Sequence, residues 1–527
     1  MRHFFIILFL IVVGFSHAQR SDSNFSNIQS VWQLINTFYV DTVDRQALSR
    51  EAIVSMLKKL DPHSVFIPSE DVQSSTEQLE GNFEGVGVEF VIMNDTLTVV
   101  NAIIDGPSEK VGIKSGDRIV AIDGKNIASI GIKNTDVFKL LRGKKGTTVD
   151  LTIYRKGQSE PLQFHVTRDK IPINSIDAAY MITPQTGYIK ISRFSLNTYE
   201  EFMTELKNLK KSKPQNMIVD LRGNGGGYMK AALDIADEFI ENGKLMLYTE
   251  GNLSPRTEFD SQKGGLFEDG RIVILIDESS ASASEILSGA VQDWDRGVII
   301  GRRSFGKGLV QRQFKLHDNS ELRLTTARYY TPSGRCIQKH YDDDLSKYRK
   351  EIGSRFESGE LTNPDSIHQR EDLIYKTLKN QRTVYGGGGI MPDIFVPLDT
   401  SMFTIFYRDL ISLGVYNRFM MKYIDENRNI LSSQYKNFEQ FNSKFVVEDS
   451  FFEQLLSEAQ KSELNMDEEQ IATSESHIRM QMKAFVARHL WSVNEYYKIV
   501  NQSVQVIQTA VELVEDKKSY NAALAGN

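Results

Sequence analysis

Between residues 27 and 60 apolar positions recur at helical spacing: Ile28, Val31, Trp32, Leu34 and Ile35, then Leu48, Ile53, Met56 and Leu57. A stripe of that period buries one helix face, and Asp61-Pro62 ends it, since proline disfavours helical geometry in the residue before it. The pattern predicts a helical arm over 19–76. From Gly81 to about Thr167 the period shortens to alternation, as in Leu97-Thr98-Val99-Val100 and Val149-Asp150-Leu151-Thr152-Ile153, with glycine turns between the runs. This predicts one small β-rich module, 77–168. Over 169–400 strands (187–191, 217–221, 272–276) alternate with helices (198–209, 228–240), which predicts an α/β layered core. The last stretch, 401–527, is rich in helix formers and has no proline between Phe403 and Val514. It predicts a helical domain that packs on the core or on a second copy, a homodimer.

The N-terminus changes this picture. Met1-Arg2-His3 precedes an apolar run from Phe4 to Phe15 and then Ser16-His17-Ala18, a small-x-small pattern, so 1–18 is expected to be a cleaved export signal. As a helix the run spans about 18 Å, short of a hydrocarbon core of about 30 Å. The expected location is periplasmic, or else extracellular. A net charge of −7 offers no basic excess for a phosphate backbone, which argues against nucleic acid as a partner. Cys336 is the single cysteine, so no internal disulfide forms, and it is expected to be a passive strand residue. The nine histidines show no His-Glu-x-x-His spacing, and the reading calls for no metal and no cofactor.

Candidate chemistry begins at the strand Arg271–Ile276, which runs into Asp277-Glu-Ser-Ser-Ala-Ser-Ala-Ser-Glu285 and then a helical face. Ser282 therefore stands at a strand-to-helix turn, where free amides and the positive helix end can hold an oxyanion. The plainer reading is a capping box, Ser282-x-x-Glu285, with the hydroxyl bound to the third amide. Next comes Ser304-Phe-Gly-Lys307-Gly-Leu-Val-Gln311, with one lysine between two glycines at a strand start. Glycines let the backbone pass close to another element and bury the lysine stem. To act as a base, that amine must fall from about 10.4 to near neutrality, a cost of about 4 kcal/mol that only an apolar surrounding supplies. Gln311 can hold the amine without adding charge. A rival shares the segment: Gly301-x-x-x-x-Gly306-Lys307 matches the start of a phosphate-binding loop, that of a nucleotidase. It fails at Gly308, where Ser or Thr should bind Mg²⁺, and a strand-like run follows where a helix should.

A second turn, Arg222-Gly-Asn-Gly-Gly-Gly227, follows the strand 217–221. Amides unshielded by side chains there, at Gly226 or Gly227, can supply one oxyanion donor and Ala283 the other. Ser280-Ala-Ser282-Ala-Ser284-Glu-Ile with Gln292-Asp293, Lys307 standing 25 residues after Ser282, and Asp220-Leu-Arg-x-Asn-x-Gly226-Gly227 together resemble the carboxyl-terminal processing (tail-specific) serine proteases. Leu60-Asp-Pro-His-Ser64, Arg328-Tyr-Tyr-Thr-Pro-Ser-Gly-Arg335 and Gly387-Gly-Gly-Ile390-x-Pro-Asp393 extend the resemblance over 27–398.

What the resemblance implies is a PDZ domain and a crotonase- or ClpP-like α/β protease core with a β cap; with the helical arm, and with the helical tail that no motif of the resemblance assigns, the chain is expected to be multidomain α+β. The implied activity is a serine endopeptidase with Ser282 as nucleophile and Lys307 as base, held by Gln311, cleaving exported proteins at or near their carboxyl termini. Substrate tails with apolar ends would be held at Gly85-Val86-Gly87-Val88, where loop amides can cradle a carboxylate and the next strand can add the peptide. Membrane-associated proteins are candidate substrates. Two alternatives stand beside it, a non-catalytic PDZ-type peptide-binding protein and the nucleotidase. The family often carries Asn and Pro where Gly223 and Gly225 stand, so this turn is looser. Arg142, in Leu140-Leu-Arg-Gly143, is expected to be a solvated turn residue, with a switchable ion pair to the core as the alternative.

Overall fold

The structure is a computed structural model describing residues 23–103, 105–262, 264–342, 345–367 and 372–526; the expected export signal lies outside the described residues. The chain divides into two compact units after Asp61. In the first, helices Ser23–Phe38 and Arg45–Leu57 are tied by Trp32 Nε1 donating to Ser49 Oγ at 3.0 Å, and Asp44 caps the second by accepting the Ala47 amide.

In the second unit, Val65–Ile67, within the stretch expected to be helical, is a strand paired with Glu321–Arg323. The PDZ-like module is an antiparallel sheet in the order Val88–Met93, Thr96–Ala102, Arg118–Ile122, Thr148–Tyr154, Leu162–Thr167, closed over Leu97, Ile119, Leu151 and Ile153. Its edge strand Val88–Met93 lies near helix Asn134–Leu141, with Phe90 against Phe138. Arg142 corrects the expectation of a solvated turn. Its guanidinium meets Glu77 of helix Ser69–Glu80 at 2.5 Å and lies over Phe83 and Phe138, because Glu77 is nearly buried and needs a cation.

The core sheet runs Ile176–Met181, Thr186–Ile191, Asn216–Asp220, Arg271–Ile276, Val298–Gly301, Ile394–Phe395, parallel from the second strand onward. Both its faces are covered, as parallel sheets require. Ile189, Val219, Ile274 and Ile299 point to helices Thr198–Lys210, Met229–Ala236 and Ala283–Asp293. The alternate residues Tyr188, Ile218, Val273 and Ile300 meet Val506, Ile507, Ala510 and Val514 of the tail helix Gln505–Glu515. Each buried aliphatic there contributes roughly 1.5–3 kcal/mol, so the last tail helices are the second wall of the core. The β cap is an antiparallel sheet built on Glu321–Tyr330, flanked by Leu309–Lys315 and Leu245–Glu250. Cys336 is half-buried in an extended segment outside any strand, because the turn at 331–334 takes the chain off the cap sheet.

The earlier tail helices, Ile405–Ser412 to Glu468–Leu490, enclose their own core of Phe406, Met420, Ile424, Phe441, Leu455 and Ile478. His489 is buried there, stacked on Phe485 at 4.2 Å with Nδ1 2.8 Å from the Phe485 carbonyl. Burial lowers its pKa from 6.5 to about 4, the neighbouring Arg488 and Arg428 acting in the same direction. The unfolded chain therefore takes up the proton first. The stability this ring contributes is complete above pH 6.5 and is lost as pH falls toward 4, about 3 kcal/mol in all. Helix unfolding followed between pH 7 and 4 is expected to show that loss, and His489→Phe to abolish most of it; an unchanged acid profile in the variant would refute the assignment.

Candidate active site

The strand Arg271–Ile276 is buried almost throughout and ends in a turn closed by Asp277, whose carboxylate accepts the amides of Ser279 (3.0 Å), Ser280 (3.1 Å) and Gly223 (3.0 Å). The chain then enters helix Ala283–Asp293 with Ser282 at φ 55° and ψ −111°. For a residue with a Cβ this backbone costs on the order of 1–3 kcal/mol, and it persists only where the surroundings hold it. Ser282 sits at the capping-box position, yet the close bond of the Glu285 amide goes to the Ser282 main-chain carbonyl at 2.9 Å, and Glu285 Oε2 accepts the Ser282 amide at 2.8 Å. The reciprocal capping box is present as well, with the Ser282 side chain facing the Glu285 amide, and the carbonyl and the carboxylate make its close bonds. Tyr329 fixes the same turn by donating to the Ser282 carbonyl at 3.2 Å.

Glu285 does more than cap. Its carboxylate is completely buried and also accepts Ser304 Oγ at 2.5 Å and the amides of Gly306 at 2.6 Å and Lys307 at 2.9 Å. Burial pushes this carboxyl up, against those four donors. One side chain therefore hangs the main chain of Lys307 on the main chain of Ser282. Lys307 Nζ donates to Gln311 Oε1 at 3.1 Å, and Gln311 Nε2 donates to the carbonyl of His63, which turns the amide so that only its oxygen faces the lysine. After Lys307 the chain forms strand Leu309–Lys315 and no helix begins there, so the phosphate-loop alternative lacks the helix end that would hold a phosphate.

The glycine turn follows the buried strand Asn216–Asp220. Asp220 lies well below the usual carboxylate range: burial raises it, but Arg222 and Lys190 outweigh burial. Asn224, fully buried, ties the turn to the serine segment. Its Nδ2 donates to the Ile191 carbonyl (2.9 Å), its carbonyl accepts the Ala281 amide (3.0 Å) and Ser284 Oγ (2.9 Å), and its Oδ1 accepts the Gly226 amide (2.8 Å). The Gly226 amide is therefore spent. Phe194 bonds the Gly226 carbonyl and the Tyr228 amide, leaving the Gly227 amide between them outside that ladder. The Ala283 amide, first in its helix, has no intrahelical acceptor.

Ser282, Lys307, Gln311, Gly226 and Gly227 line one cavity of about 630 Å³ with apolar walls from Phe194, Ile286 and Leu309. The segment Gly85-Val86-Gly87-Val88 lies apart from it, in the PDZ-like module, between strands Asn82–Gly85 and Val88–Met93. Glu285 was visible in the sequence only as a helix cap, and Asn224 only as a motif position; the bonds they make join segments up to 60 residues apart. An acidic residue three positions after the serine was the available signal.

Residues 185–346 match the description Peptidase family S41, residues 85–166 a PDZ domain and residues 406–492 a family of unknown function. A carboxy-terminal-processing protease of Bartonella bacilliformis is 35% identical over 342 residues, 63% of this chain and 78% of that one. The carboxy-terminal processing protease CtpB of Bacillus subtilis is 33% identical over 322 residues, 60% of this chain and 66% of its own. Among solved structures, a photosystem II D1 C-terminal processing protease shares 27% identity across 60% of this chain and 91% of its own, with a TM-score of 0.36.

Proposed function

The chain belongs to the carboxy-terminal processing proteases of peptidase family S41, and from that premise we propose that it is a serine endopeptidase working through Ser282 and Lys307 on the tails of exported proteins. The observation that carries this reading is the common cavity of Ser282, Lys307 and Gln311, with Glu285 binding the main chains of the first two.

Uncharged Lys307 takes the Ser282 proton as Oγ attacks the scissile carbonyl. The developing oxyanion is held by the amides of Ala283 and Gly227, the two donors not spent on protein acceptors. Lys307 returns the proton to the leaving amine, then draws a proton from the water that hydrolyses the acyl-enzyme. Gln311 keeps the amine aimed without adding charge, and residues 85–88 with the open edge Val88–Met93 hold the substrate tail as an added strand. Export rests on the pattern of residues 1–18. Hydrolysis of a protein carrying an apolar carboxyl-terminal tag, seen with wild type and absent with Ser282→Ala, is the direct test; cutting by the alanine variant at the wild-type rate rules the reading out.

A side chain at Gly226 tests the oxyanion turn separately. At φ +97°, a Cβ there would come within 2.6 Å of the Ala281 carbonyl and 2.8 Å of Ser282 Cβ. Gly226→Ala is expected to lower kcat about 100-fold with a smaller change in KM, the scale of losing an oxyanion donor. Wild-type kcat in this variant would show that the turn does not serve the reaction.

A further inference from the structure

Two arginines in the cleft have no role in the chemistry above. Arg193 follows strand Thr186–Ile191, and Arg323 stands on the cap strand opposite Gln313; both line the Ser282 cavity. Arg193 Nε and Arg323 Nη2 are shut off from solvent and bond nothing in the protein. A buried guanidinium N–H without an acceptor is costly; Arg142 Nε shares that condition, but its guanidinium is paired with Glu77, as Arg302 is with Glu278, Arg303 with Glu360, and Arg382 with Asp295 and Asp393. Glu201, whose carboxyl senses Arg193, is instead committed to the amides of Ser175 (2.7 Å) and Ile176 (3.1 Å). Among the described residues lining the cavity are two arginines, Arg193 and Arg323, besides Lys307, and no Asp or Glu.

Position follows from the strand register. Gln311, which holds Lys307, pairs with Thr325, and Gln313 pairs with Arg323. Arg323 is therefore two strand positions, about 7 Å, along from the lysine's partner, roughly two residues of an extended peptide. We propose, resting on the reading of Ser282 as the nucleophile, that Arg193 and Arg323 form a carboxylate-binding subsite of the cleft. It takes an acidic side chain or a free chain end within about three residues of the scissile bond. A carboxylate is the ligand chemistry that matches a guanidinium fork, through paired N–H donors that a neutral amide cannot satisfy equally.

The test is a peptide series based on one cleaved neutral sequence, with Glu or Gln placed singly at each of three positions on either side of the scissile bond, each made as free acid and as carboxamide. Wild type is expected to show a KM at least about tenfold lower for one Glu peptide than for its Gln partner, or for the free acids than for the amides, which tells side chain from chain end. Capture of a chain end by the PDZ domain persists in Arg193→Gln/Arg323→Gln protein, whereas the subsite's preference collapses there to less than about threefold, with cleavage of the neutral parent amide retained. Arg323→Lys, which keeps charge and loses the fork, restores only part. No carboxylate-dependent difference in wild type, or one that survives in the double variant, overturns the proposal. Failure of wild type to cut any peptide instead counts against Ser282 as nucleophile, and the same Glu/Gln and acid/amide comparison by binding to Ser282→Ala protein then decides the subsite.

Discussion

Ser282→Ala and Lys307→Ala are each expected to lower kcat/KM on a carboxyl-tagged substrate by about 10⁴-fold or more, leaving the fold and tail binding unchanged. In the proposed mechanism the serine variant removes the atom that becomes acylated, and the lysine variant removes the group that takes its proton. Because both act in one step, the double variant should be no worse than either single one. Lys307→Arg should be as inactive as Lys307→Ala, since a guanidinium does not release its proton near neutral pH. Gln311→Ala should cost less, about 10- to 100-fold, because it removes one hydrogen bond of the amine and leaves the amine in place. Additive losses in the double variant, or Lys307→Arg within tenfold of wild type, would break the dyad into two unrelated residues.

The contrast between what the sequence revealed and what it concealed lies in the range of the interactions. The strand 271–276, the turn after it and the helix at 283 are local events, and their periods marked Ser282 correctly as a strand-to-helix residue. The order of PDZ-like module, α/β core and helical tail was readable for the same reason. Glu285 was concealed because a carboxylate three residues after a serine has a sufficient local explanation in the cap, while its other three donors come from 19 to 22 residues away. Arg142 was misjudged because its partner Glu77 belongs to another element 65 residues distant. For the tail the sequence left two coverings open, the core or a second copy. An amphipathic helix at 505–515 declares that one face is buried and not by what, and the answer is the far side of the central sheet.

The same limit applied to the motif 328–335, whose residues resembled a family without an evident reason for being there. The reason is Arg335. Its side chain is fully inaccessible, its Nη2 meets Asp293 Oδ1 at 2.7 Å outside hydrogen-bonding geometry, and it also donates to Gln292 Oε1 (2.7 Å), the Tyr385 carbonyl (3.2 Å) and Thr331 Oγ1 (3.3 Å). Asp293 also accepts the Ser333 amide at 2.9 Å, so the last turn of the helix that begins at Ser282 is riveted to this loop. Removing one partner of a fully buried pair leaves the other as an uncompensated charge, a loss of about 3–5 kcal/mol. For a core of this size that is roughly a 6–20 °C fall in its melting temperature. Arg335→Ala is therefore expected to melt far earlier than wild type in calorimetry. Arg335→Met with Asp293→Leu, which removes both charges, should recover most of the difference, because an apolar pair of similar volume carries no desolvation penalty. Equal melting of Arg335→Ala and wild type would mean that water reaches Asp293 and that the pair holds nothing together.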